Sequence, residues 1–353
     1  LSSPDWAIFR AYTSLYDAER GAENTGIAAG LRDFDSWSGG KNLVTADQTW
    51  QIACYADAAD NTPTTFSGWT TGPDHYLRLF TPVAGGEAGT RQRHNGVWST
   101  SAFRSEVAGH SNLIFYLSHV RVEGLQLRQT ALTTGGSETL EVRADEPDQD
   151  FRIAYNIFQG DAETAISGYA AVTFYSITAG AGSVRIWNNL IYDYRSTNAN
   201  VPDAMQLADP DVDYYVYNNT VVDCDHGITQ MNGASVLLVN NLAQNVALGY
   251  GGSFAAGSDY NLSSLNDAPG THAKNNTAVI FADALRDDFH LSDRDTGALG
   301  AGTNLAADPY LAFADDLDGV ARPATWSIGA DDHGVSAPPT AIYRSVGPNN
   351  NSA

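Results

Sequence analysis

Three stretches of the chain repeat one pattern. "VRIWNNLIYDY" from Val184, "YYVYNNTVVDC" from Tyr214 and "VLLVNNLAQNV" from Val236 each place two asparagines after a run of β-branched and aromatic residues. "FRIAYNIFQG" from Phe151 and "VRVEGLQLRQ" from Val120 carry the same alternation around an amide or a small residue. Aligned on Gly124, Asn156, Asn189, Asn219 and Asn241, the copies are spaced 32, 33, 30 and 22 residues apart. Helical repeats hold their period, whereas stacked β-coils tolerate insertions in their turns while the strands stay in register. Within each copy the apolar period is two, as in Val184 and Ile186 or Tyr215 and Tyr217, which is the period of a strand. The expectation is an all-β solenoid of roughly eight to ten coils, a rod of about 40 to 50 Å at about 4.8 Å per coil.

The asparagines then have two structural reasons. A tight turn between strands needs a left-handed or bridge backbone, which Asn tolerates and which Gly124 supplies in the same slot. Stacking also brings equivalent amides within hydrogen-bonding distance, so Asn156, Asn189, Asn219 and Asn241 are expected to form a ladder. The "NNT" at Asn218 matches a glycosylation sequence, although a ladder position inside a coil is a poor acceptor.

Charge narrows the partners. With 19 basic and 41 acidic side chains the formal net charge is −22, and no basic run interrupts it. Nucleic acid and anionic lipid are therefore not expected as partners. No apolar stretch approaches the length of a bilayer span, so no membrane insertion is expected either. Cys54 and Cys224 are the only cysteines; two allow at most one bridge, and their apolar settings read as small buried hydrophobes. The chain opens on Leu1 rather than Met and is expected to be processed or to belong to something longer.

Four regions are expected. Residues 1–48 form an N-terminal cap: Thr13 or Ser14 caps a short helix that Gly21 ends, with Trp6, Ile8, Phe9, Tyr12 and Tyr16 on its apolar side. Residues 49–282 hold the parallel β-helix, including "SDYNLSS" around Asn261; residues 283–334 form a C-terminal capping module; residues 335–353 form an extended tail.

On these coils the chain resembles the bacterial right-handed parallel β-helix repeat proteins, which include pectate-lyase-like enzymes, phage tailspikes and surface proteins. The more specific match is C-terminal, in "DDFHLSDRDTGALGAGTN" and "DLDGVARPATWSIGADDHG", through His290, Leu291, Ala301, Gly302, Asp316, Asp318, Gly319, Arg322, Pro323, Ile328, Gly329 and Ala330, with Ser327 where Asp is usual. The resemblance implies a single-stranded right-handed parallel β-helix, a module of a larger secreted or surface protein, located extracellularly or on a cell or virion surface. The group spans enzymes, adhesins and structural rods, and the leading expectation for this chain is a structural or adhesive role, as a rod, filament or surface-layer subunit, with no cofactor required. Partners would be further copies of the chain or neighbouring modules, engaged through the tail, or a glycan.

The alternative is a polysaccharide-active enzyme, hydrolase or lyase. Its best seat is the stretch "YRSTNANVPDAMQLADPDVD" and the coil after it, where Asp203, Asp223, Asp225 and His226 could supply an acid and a base. Asp209, Asp211 and Asp213 offer alternating oxygen ligands for calcium. Against both, Asp beside Pro is the usual chemistry of a turn. His75, His94 and His110 would suit zinc if their strands stacked, although none has metal-ligand spacing. Asp318 and Arg322 read as a capping ion pair.

Overall fold

The computed structural model describes residues 9–332 apart from 33–36, 38, 84–90, 132–136, 145–147, 162–168, 176–180 and 198–200. Trp6, Ile8 and the tail 335–353 lie outside the described residues. Among the described residues, nearly all strands fall into three long parallel sheets of seven, eight and seven strands. Each sheet takes one strand from every coil. One coil, for example, runs Gly182–Trp187 in the first sheet, Leu190–Tyr192 in the second and Asp203–Leu207 in the third. Seven such coils stack, and Leu262–Ser263 begins an eighth, one fewer complete coil than the lowest expected count. The arrangement is compatible with a parallel β-helix.

Alternation along each strand decides what fills the interior. Ile153, Ile186, Val216 and Leu238 are register partners in the first sheet, and all are fully buried. In the same interior, Phe66 of the third sheet stacks on its register partner Phe115 at 5.1 Å, and the aromatic series continues through Phe151, Phe174 and Tyr214, alternating between the first and third sheets. Like residues thus sit on like residues, so each coil buries its neighbour's apolar edge. Cys54 and Cys224 are free, and burial pushes both thiols up, which leaves them unreactive.

The paired asparagines divide their labour at the corner between the first and second sheets. Glu123 pairs with Ala154, so Gly124 lies opposite Tyr155 and not opposite Asn156. The left-handed residues are Gly124, Tyr155, Asn188, Asn218, Asn240 and Tyr260, with φ between 50 and 76°. The expectation that the ladder asparagines also adopt this conformation is therefore corrected: the first residue of each pair makes the turn and the second makes the ladder. In that ladder the Nδ2 groups of Asn156, Asn189, Asn219 and Asn241 donate to the next Oδ1 at 3.0, 2.9, 3.0 and 3.1 Å, ending on Asn261. Each accepting Oδ1 also receives the backbone N–H of the residue that donates to it. A second Nδ2 bond reaches the carbonyl of Val122, Ile153, Ile186 or Val216.

At the N-terminal end, Ser14 accepts the Asp17 N–H and Gly21 closes the helix Leu15–Arg20 at φ 65°. Its buried face is Leu15, Ala18 and Glu19, while Phe9 and Tyr16 are exposed. Glu19 is buried because it accepts from Ser67 N at 3.0 Å and Trp69 Nε1 at 2.8 Å, which ties the helix to the first coil. Burial raises its carboxyl from 4.5 to about 7, outweighing those two donors. The folded state therefore holds an extra proton, so this contribution to stability is intact below about pH 4.5 and is lost as pH rises through 7, on the order of 3 kcal/mol in all. The urea midpoint is expected to fall between pH 5 and 7.5, and Glu19→Gln to flatten that slope; an unchanged slope in the variant would remove Glu19 as its source.

The C-terminal stretch does not stay at the last coil. After an antiparallel hairpin, Phe281–Asp283 with Asp288–Leu291, it runs back along the flank of the rod. Phe281, Phe289, Leu291 and Ile328 cover Ile157, Leu190, Val222, Leu242 and Leu262 on the outside of the second sheet. Leu305, Leu311 and Trp326 cover Trp187, Tyr217 and Val239 beside the corner. The turn asparagines hold it there: Asn188 Nδ2 donates to Asp315 O, Asn218 Nδ2 to Ser327 O and Gly329 O, and Asn240 Nδ2 to Thr303 O. Asn218 is thereby fully buried, which leaves no room for a glycan on its amide.

Candidate functional site: the Asp203–His226 region and a histidine–aspartate cluster

The stretch from Tyr194 to Asp213, whose Pro, Asn and Asp residues read as a long loop between two coils, instead contains the third-sheet strand Asp203–Leu207. Asp203 and His226 are register partners at the heads of adjacent strands. His226 Nδ1 lies 3.3 Å from Asp203 Oδ1, which also accepts from Thr229 Oγ1 at 2.5 Å. The hydrogen bond with Asp203 raises the His226 imidazole above its ordinary range. Asp223 belongs to a different place, the corner between the second and third sheets, where it adopts φ 55° beside Asp193 at 64° and Asn245 at 53°. Its carboxylate accepts Arg195 Nη2 at 2.8 Å and a short bond from Asn245 Nδ2. Asp225 accepts Ser196 N at 2.8 Å. The structure brings Asp203 and His226 together but sets Asp223 apart, and each expected carboxylate is held by a neighbouring donor.

Asp209 caps its own turn, accepting Asp211 N at 3.0 Å, and Asp213 projects from the exposed side of the strand Val212–Tyr217. Burial raises the Asp209 carboxyl. Among the described residues, Asp209, Asp211 and Asp213 do not gather into a three-donor metal set, and neither do His75, His94 and His110. His94 is buried with Nε2 2.8 Å from Tyr155 O and Nδ1 accepting Gly96 N, and burial drives its imidazole down to about 3, so it is a neutral structural group.

Stacking also creates a charge feature absent from the linear sequence. Arg78, Arg121, Arg152 and Arg185 are consecutive register partners on the outside of the first sheet. Asp150 serves three of them, Arg121 at 2.6 Å, Arg152 at 3.1 Å and Arg185 at 3.2 Å, and Glu123 serves Arg78 at 2.5 Å. Burial works against the Asp150 carboxylate, but the three guanidiniums outweigh it and hold the group below the ordinary carboxylate range.

One set of side chains has metal-ligand geometry. His290, Asp318 and Asp331 each bring a donor atom to within 4.8 Å of the others. His290 arrives on the strand Asp288–Leu291, Asp318 on the turn organised by Asp316, whose Oδ1 accepts Asp318 N and Val320 N, and Asp331 through its bond from Leu291 N at 2.7 Å. His290 Nε2 lies 3.0 Å from Asp318 Oδ2, and Nδ1 lies 2.5 Å from Asp288 Oδ1. Burial opposes a charged imidazole here, but Asp318, Asp331 and Asp288 together raise it to about 10. Burial raises Asp316 to about 7 and Asp331 to about 6.

The expected Asp318–Arg322 pair is corrected by this arrangement. Asp318 bonds His290, while Arg322 is wholly buried and pairs with Asp332 at 3.2 Å. Ser327, at the position where Asp is usual in the resemblance, donates to Asp332 Oδ1 at 2.8 Å. His290 and Asp318 fall in the two C-terminal stretches that carry the resemblance, whereas Asp331 is not among the matching residues, because nothing in a linear pattern shows that the last turn folds back onto the hairpin. No helix among the described residues is long and apolar enough to cross a membrane. Comparisons with protein-family models, with curated proteins and with solved structures find no match for this chain.

Proposed function

We propose that the chain is a structural or adhesive module of a larger extracellular or surface protein, a right-handed parallel β-helix serving as a rod, filament or surface-layer subunit. The right hand follows from the rule that strand–crossover–parallel-strand connections in one sheet turn that way almost without exception. The secreted, pectate-lyase-like setting rests on the C-terminal resemblance alone. One observation carries the functional choice: in the Asp203–His226 region, Asp203, Asp223 and Asp225 each accept bonds from the fold itself, where an acid and base pair would face substrate. Carboxylates used in this way hold turns and neighbouring strands together.

The test pairs activity with assembly. Wild type and the variants Asp203→Asn and Asp225→Asn are incubated with a panel of neutral and anionic polysaccharides, and native material is viewed by electron microscopy. The expected result is no cleavage by any of the three and ordered assemblies of wild type. Cleavage by wild type that falls at least about 100-fold in either variant would establish the polysaccharide-active reading instead.

A further inference from the structure

We propose that His290, Asp318 and Asp331 bind one divalent transition-metal ion, zinc being the best fit, and that the ion fastens the C-terminal segment in its docked form. The three donor atoms lie within 4.8 Å of one another. Donors around an ion at roughly 2.0 to 2.3 Å stand about 3 to 4.5 Å apart, so a small inward movement closes the set. His290 also has the support a ligating imidazole needs, because Asp288 takes Nδ1 at 2.5 Å and thereby fixes the ring with Nε2 toward the other two donors.

Observations separate from those bonds point to a ligand. Asp318 Oδ1 is shut off from solvent with no hydrogen-bond partner, an expensive state for a carboxylate oxygen. Beside the cluster, a cavity of about 10 Å³ is lined by His290 and Asp331 but not by Asp318, with Leu190, Phe289 and Leu317 on its apolar side, and has room for a single water or small ion. Gly96 keeps this space: a Cβ there would come 2.3 Å from His290 Nε2 and 2.6 Å from Asp318 Oδ1. The donor set decides the metal. Calcium is held by shells of oxygen, whereas an imidazole with two carboxylates suits zinc, and three protein donors leave the fourth tetrahedral position to water. The ion would join the hairpin strand, the Asp316 turn and the end of the described chain at one point, and this holds whether the module is structural or catalytic.

The experiment uses the full chain, stripped with chelator and titrated with zinc chloride or calcium chloride by calorimetry and thermal unfolding. One zinc per chain is expected, with a rise in Tm of about 4 °C at saturating metal, and no comparable effect of calcium. His290→Gln and Asp318→Asn are expected to weaken zinc binding at least about 10-fold with far-UV circular dichroism unchanged. Should either variant misfold, an anomalous-scattering map of zinc-loaded wild type decides the matter. Zinc between His290, Asp318 and Asp331 supports the proposal. No saturable binding, or zinc only at another place such as the exposed His272–Asp259 pair, overturns it and leaves the protonated imidazole as the group that balances these carboxylates.

Discussion

Asn219→Ala is expected to lower the unfolding free energy by about 4 kcal/mol or more, measured by urea denaturation. The side chain is fully buried in the middle of the amide ladder. Its Oδ1 accepts both Asn189 N at 3.1 Å and Asn189 Nδ2 at 2.9 Å, and its Nδ2 donates to Ile186 O and to Asn241 Oδ1. Truncation takes the partner from the buried Asn189 N–H, removes one bond of Asn189 Nδ2, which keeps Ile153 O, and removes a donor each from Ile186 O and Asn241 Oδ1, and each such lost bond costs about 1 to 3 kcal/mol. Asn156 at the head of the ladder is an internal control, since among the described residues its Oδ1 accepts the Leu125 N–H and no amide from the coil before it. Asn156→Ala loses three such bonds against four and is therefore expected to cost about three quarters as much. Equal losses at the two positions would mean that the ladder does not act as a connected column.

Arg322→Ala is expected to release the flank segment before the coils unfold. The guanidinium has no solvent exposure, donates from Nη2 to Asn188 Oδ1 at 2.8 Å and Ala330 O at 2.8 Å, and donates from Nε to Asp315 O at 3.0 Å. Trp326 lies 5.1 Å from its carbon centre. Removing it strands the buried Asp332 carboxylate, a loss of about 3 to 5 kcal/mol. Lysine is not expected to rescue, because one ammonium cannot match a planar fork that serves a turn asparagine and two carbonyls together. Limited proteolysis should cut between residues 279 and 332 in the variant while the β-sheet circular dichroism persists. A variant that resists protease as wild type does would show that the apolar contacts alone hold the segment.

The sequence made some of this legible and hid the rest for identifiable reasons. The first-sheet strands were readable because their inward residues are β-branched or aromatic, as in Val184 and Ile186. The third-sheet strand Asp203–Leu207 was not, because "DAMQL" has weak strand propensity and its neighbours are turn residues. The asparagine pairs announced a corner, but only register with Gly124 shows which member turns and which bonds. The column of Arg78, Arg121, Arg152 and Arg185 is one residue per coil, so no linear scan for a basic run can see it. The grouping of His290 with Asp331 depends on a chain reversal that no local pattern encodes.

The backward course of the last fifty described residues bears on how the molecule is born. Arg91 donates to the carbonyl of Asp318, a contact that spans 227 positions, and Ile157, Leu190, Val222 and Leu242, in the fourth to seventh coils, leave the ribosome still bare on the outside of their sheet. Burial of that surface waits until residues 279–330 have been made, which makes maturation slow and exposes the nascent chain to association with its neighbours. Once the latecomer is seated, undoing the coils beneath it first requires peeling it away, and longevity is then governed by a barrier more than by an equilibrium.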